Sequence, residues 1–154
     1  MATDGFSKDE REAMKQRAAE LRAQAKREKA ADKAAADLQD TLDAIAAMDD
    51  ADRAIAERLH ALVAEHAPEL LPKTWYGFPA YAGEDGKAIV FFQPATKFGT
   101  RYSTLGFQDR ANLDEGGMWP TSYAVTRVDA EVEARIAELL RRAVSAPASS
   151  TVTA

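Results

Sequence analysis

Lys73-Thr74-Trp75-Tyr76-Gly77-Phe78-Pro79-Ala80-Tyr81-Ala82, then Gly83-Glu84-Asp85-Gly86, then Lys87-Ala88-Ile89-Val90-Phe91-Phe92-Gln93, is the stretch that decides the fold. Short aromatic and β-branched runs broken by Gly and Pro read as strands. The runs are Lys73–Tyr76, Ala80–Ala82, Lys87–Gln93 and, further on, Lys97–Leu105. Gly83–Gly86 supplies a hairpin loop of four residues between two of them. In Ala88–Gln93 both alternating sets are apolar (Ala88, Val90, Phe92 against Ile89, Phe91), which predicts a central strand covered on both sides. Eleven of the chain's twelve aromatic residues lie between Trp75 and Tyr123. The sheet is therefore here.

Downstream, Phe107–Glu115 reads as a helical turn capped by Asp109 and ended by Gly116-Gly117. Trp119–Val125 offers one more strand, which Pro120 pushes towards an edge. Asp129 caps an amphipathic helix with Val132, Ile136, Leu139, Leu140 and Val144 on its apolar face. The small, polar end of the chain, 146–154, reads as a disordered tail. Upstream, Leu38, Leu42 and Ile45 repeat at helical spacing, and Asp49 or Asp50 caps a helix bearing Ile55, Leu59, Leu62 and Val63 that stops before Pro68. Residues 1–36 form a charged helical arm. Ser7 and Glu10 have capping-box spacing, and the arm's apolar stripe (Met14, Ala18, Leu21, Ala25) is narrow. A break is expected near Ala30–Asp37. The whole predicts an α+β fold, an antiparallel sheet of about five strands packed against helices, with an N-terminal helical arm.

Composition excludes several functions. The chain has 154 residues, no cysteine and a net charge of −5. Without thiols there is no disulfide framework, thiolate zinc site, iron–sulfur cluster or Cys nucleophile. The arm carries seven acids and nine bases, so the remaining residues hold −7. That balance argues against nucleic acid as a partner of the whole surface. No apolar run is long enough for a membrane span, and Met1–Asp9 lacks the basic and apolar regions of a secretory signal, so a cytoplasmic protein is expected.

The run Lys73–Tyr81, followed by Gly86–Phe92 and Lys97, resembles the YdhG-like family, the domain of unknown function numbered 1801. The carriers are an aromatic–Gly–x–Pro turn, a hairpin, a hydrophobic strand and a lysine; Met118-Trp119-Pro120 and the closing helix fit the family's last elements. The resemblance covers Asp37–Ser145, making 37–145 a YdhG-like domain. It implies a small cytoplasmic α+β protein. Some members are labelled frataxin-like intracellular iron chaperones, which bind iron through surface carboxylates. Many members have Lys-x-His where this chain has Lys97-Phe98-Gly99.

The chemical signals are sparse. His60 and His66, six apart on one helix, point about 240° away from each other and do not share an ion. Glu57-x-x-His60 is half of a di-iron pair with no second copy. Carboxylate clusters remain as metal candidates: Asp49, Asp50 and Asp52, which also suit a helix cap, and Asp109, Asp114 and Glu115, which also suit a solvated loop. Cofactors are expected to be none, with iron left open. No nucleophile elbow, phosphate loop or dinucleotide fingerprint is present, so a non-catalytic protein is expected. Lys15, Arg22, Lys26, Lys29 and Lys33 form a basic stripe on the arm, interleaved with Glu20, Glu28 and Asp32. That stripe suits a solvated helix face, or an adaptor for nucleic acid or a membrane surface. In Lys97–Leu105, strand alternation places Lys97 and Arg101 on one face around Gly99. With Trp75, Tyr76, Tyr81 and Trp119 they form the candidate binding set, for a small anionic ligand or a protein partner.

Overall fold

The computed structural model describes residues 7–146. The chain divides into two units, Met1–Ala36 and Asp37–Ala154. Helix α1, Lys8–Ala46, begins at Ser7, whose hydroxyl accepts from Glu10 N–H at 3.1 Å. It continues through Ala30–Asp37, where a break was expected. No Gly or Pro interrupts that stretch, and its Ala, Lys and Asp residues cost little in a helix. Before Thr41 no residue of α1 is buried; Met14 and Leu21 are exposed.

In the second unit, α2 spans Asp50–His66, and Asp49 caps it by accepting from Asp52 N–H at 3.0 Å. Strands β1 (Leu71–Trp75), β2 (Phe78–Ala82), β3 (Ala88–Gln93), β4 (Ser103–Phe107) and β5 (Ser122–Val125) form one five-stranded antiparallel sheet in sequence order. The fold is α+β, and β3 is its central strand. Helix α3 (Ala95–Phe98) lies between β3 and β4, and α4 (Ala130–Val144) closes the described chain with Asp129 as its cap.

Ile55, Leu59, Leu62 and Val63 of α2 and Ile136 and Leu140 of α4 bury against Tyr81, Val90, Phe92, Leu105 and Phe107 of the sheet. The apolar periodicity of both helices is thereby satisfied. Each such side chain contributes roughly 1.5–3 kcal/mol by leaving water. Arg58 of α2 and Glu133 of α4 form an ion pair beside this core.

Three local expectations are corrected. Lys97 is not on a strand: residues 95–98 form the helical turn α3, Gly99 closes it at φ 67°, and β4 starts only at Ser103. The cause is non-local. Ala95 N–H donates to Ser103 Oγ at 3.0 Å and Thr96 N–H to Asp52 Oδ2 at 3.0 Å, so side chains from β4 and α2 supply the caps this turn lacks. Phe107–Glu115 forms no helix: Phe107 ends β4, and the loop that follows makes a single turn, in which Ala111 N–H donates to Gln108 C=O at 2.9 Å. Gln108 N–H donates to Ile89 C=O at 2.8 Å and Asn112 N–H to Ala143 C=O at 3.0 Å, which ties the loop to β3 and α4 instead. The strand expected at Trp119–Val125 shortens to β5, at the sheet edge, with Pro120 outside it. The tail lies outside the described residues beyond 146; Asn112 Nδ2 donates to Ser145 Oγ and Ala146 C=O at its start.

Candidate functional site

The β1–β2 connection is a two-residue turn, since Trp75 pairs with Phe78. Tyr76 and Gly77 both have positive φ, 51° and 80°, the requirement of a type I′ hairpin. Gly meets it freely. Tyr76 does so at a cost of about 1 kcal/mol, and its ring is 77% exposed.

The pairing register then assigns the faces. Tyr81, Val90, Phe107, Phe92 and Leu105 take the helix side; Lys73, Trp75, Phe78, Phe91 and Gly106 take the other. On that second face the rings of Trp75 and Phe91 lie 5.4 Å apart, Trp75 and Tyr76 5.0 Å, Phe78 and Phe91 5.8 Å, and Phe98 of α3 stands edge-on to Phe78 at 5.7 Å. Residue 106 leaves no room for a side chain while Phe91 keeps its place: a Cβ there would sit 2.0 Å from Cζ of Phe91. The sheet therefore covers its second face with its own aromatic residues, which is how β3 comes to be packed on both sides.

Beside Trp75 this face opens into a cavity of about 450 Å³ lined by Lys73, Lys87, Gln108, Asp109 and Arg110. Its rim is braced. Lys73 Nζ donates to Gly86 C=O at 3.1 Å, and Lys87 N–H donates to Asp85 Oδ1 at 3.0 Å. Asp85 also forms an ion pair with Arg110 across the groove mouth. The Lys87 N–H, and then the Arg110 charge, hold the Asp85 carboxyl below the usual range. Three cations, Lys73, Lys87 and Arg110, thus meet two carboxylates, Asp85 and Asp109, around one indole.

Of the residues singled out in the sequence, Trp75 and Tyr76 share this aromatic cluster. Lys97 adjoins its far end, donating to Gly77 C=O at 3.1 Å with Nζ 5.8 Å from the Phe98 ring centroid. Arg101 is exposed and lies over its neighbour Tyr102 at 5.3 Å. Lys97 and Arg101 are therefore not strand neighbours. Tyr81 is buried on the helix side, where its hydroxyl meets Nδ1 of His60 at 2.8 Å, and burial pushes its phenol pKa up. Trp119 packs against the core from the segment before β5. The cations that do flank Trp75 were missed. Lys73 was legible, two residues from Trp75 on one strand; Arg110 was not, because the loop carrying it is placed by β3 and α4.

The first acidic cluster serves other groups. Asp49 caps α2 and accepts from the Thr96 hydroxyl, which with the Asp52 N–H holds its pKa down. Asp52 is buried and accepts from Thr96 N–H and, at 3.4 Å, from Ser103 Oγ. Asp50 pairs with Arg53 at 2.6 Å. Asp109, Asp114 and Glu115 lie along the loop after β4. Among the described residues no group of three His, Asp or Glu side chains is placed to hold a metal ion. Nor, among them, is any helix long and apolar enough to cross a membrane. Comparison with family models, with curated proteins and with solved structures yields no match to this chain.

Proposed function

We propose that this chain is a non-catalytic, cytoplasmic binding domain of the YdhG-like kind its sequence resembles, and that it takes a small anionic ligand in the groove beside Trp75. One observation carries the reading: Lys73, Lys87 and Arg110 border a cavity of about 450 Å³ whose apolar wall is an indole. Charge-assisted hydrogen bonds from ammonium and guanidinium groups suit a carboxylate or phosphate, and the aromatic wall suits an apolar or planar body attached to it. The bracing of Lys73 and Arg110 by Gly86 and Asp85 keeps these donors near their places before any ligand arrives, which lowers the ordering cost of binding.

The test is spectroscopic. Trp119→Phe leaves Trp75 as the sole indole, and carboxylate and phosphate metabolites are titrated while its emission is followed. The expectation is saturable quenching or a wavelength shift by at least one of them. Lys87→Gln should weaken that response at least tenfold, about 1.4 kcal/mol, with the melting temperature nearly unchanged. A flat response across the series, or one indifferent to Lys87→Gln and Lys73→Gln, overturns the reading.

A further inference from the structure

The two edges of the sheet are built differently. β1 carries Pro72, which lacks an N–H, and Lys73, whose charge resists a neighbouring strand. β5 reads Ser122-Tyr123-Ala124-Val125 and is followed by Thr126, with neither charge nor proline. Within residues 122–126 neither kind of residue guards the edge. The bond from Phe107 N–H to Thr121 C=O, 2.8 Å, sets the phase of the ladder with the register Leu105↔Tyr123. Thr121, Tyr123 and Val125 therefore turn their backbone groups towards β4, while Ser122 and Ala124 turn theirs away from the sheet. Both are exposed, and among the described residues no backbone hydrogen bond reaches them from another element.

We propose that β5 is a self-association edge, at which two copies of this chain pair β5 with β5 antiparallel about a two-fold axis at Tyr123. That register sets Ser122 opposite Ala124 of the second copy, and each exchanges N–H and C=O with the other. All the outward backbone groups of both strands are used. The opposed side chains on one face, Ser and Ala, are too small to clash. On the other face the half-buried Tyr123 meets its own copy at the close, non-hydrogen-bonded position, where aromatic cross-strand pairs are favourable. Beside it Tyr123, Val132 and Leu139 border a small apolar cavity of about 80 Å³ between β5 and α4.

Charge selects a second copy as the occupant. A two-fold axis at Tyr123 brings the segment against itself, so a charge on the strand would lie close to its own copy, directly opposite at 123 and diagonally at 122 or 124. Residues 121–126 carry none, and the first flanking cation, Arg127, is paired with Asp129 at 3.3 Å. In a chain of net charge −5, this is a stretch that meets itself without repulsion.

Sedimentation equilibrium on the full chain tests the proposal. The expected mass rises with concentration from 16.7 kDa towards twice that value, and the amides of Ser122 and Ala124 exchange more slowly as it rises. Ala124→Pro removes an outward donor without touching the β4 ladder and should weaken association at least tenfold. Ala124→Lys should do the same by charge alone, and serves if the proline disturbs the fold; circular dichroism checks both. A mass of 16.7 kDa throughout overturns the proposal. So does association unaffected by both variants, which would move it to another surface. A monomer that instead binds an extended peptide along β5 would also overturn it.

Discussion

The hydroxyl of Tyr81, on β2, lies 2.8 Å from Nδ1 of His60, on α2. Tyr81 is 1% exposed, so its O–H has this imidazole as its partner, and donating to Nδ1 requires His60 to be neutral with its proton on Nε2. Burial lowers the His60 pKa in the folded protein. The unfolded chain then binds more protons than the folded one below about pH 6.5, the ordinary histidine value. Stability from this contact is present above that pH and is lost as pH falls through the folded pKa. Urea melts between neutral and mildly acidic pH should show the loss in the native chain and a smaller one in His60→Gln. Side-chain nitrogen NMR should find His60 with a bare Nδ1; a protonated Nδ1 at neutral pH would contradict the assignment.

Gly106→Ala should destabilise by about 1–3 kcal/mol, the usual range for overpacking. The new methyl would meet three ring atoms of Phe91, the nearest at 2.0 Å, and Phe91 is held between Trp75 and Phe78. Phe91→Leu in the same chain should recover part of that loss. Denaturant titration of the two single variants and the double reads the coupling directly.

Asp52→Ala should cost about 1–3 kcal/mol, because it leaves the Thr96 N–H and the Ser103 hydroxyl without their acceptor. The effect should be local as well as global. Amide exchange at Thr96 should rise more than the change in global stability accounts for, while the amides of β3 follow the global change. Equal acceleration at both places would show that Asp52 does not hold α3.

Ferrous iron should bind weakly. Asp49, Asp50 and Asp52 are engaged by Thr96, Ser103 and Arg53, and the loop acids Asp109, Asp114 and Glu115 bring no third ligand to a common point. Calorimetry should give a dissociation constant in the micromolar range or poorer. Tight stoichiometric binding abolished by Asp109→Asn with Asp114→Asn would favour the iron-chaperone role that the family resemblance implies.

What the sequence determined by itself is what short-range physics controls. Asp129, and Asp49 of the two candidates Asp49 and Asp50, cap the helices that their own neighbours form, with Val132 N–H and Asp52 N–H as the bonded partners three residues on. The 3.6-residue repeat of Ile55, Leu59, Leu62 and Val63 and the double apolar set of Ala88–Gln93 settle which helix face is buried and which strand is central. Tertiary structure decided the remainder. Residues 97–105 alternate as a strand would, yet Lys97 sits in a helical turn because Asp52, 44 residues before Thr96 along the chain, and Ser103 accept that turn's amide protons. The same holds for the groove. Trp75 and Lys73 share a face by strand period, but Arg110 reaches them only because its loop is bonded to Ile89 and Ala143. Capping and periodicity act over a few residues and can be read along a chain; a hydrogen bond that closes a long loop depends on where the fold brings its two ends.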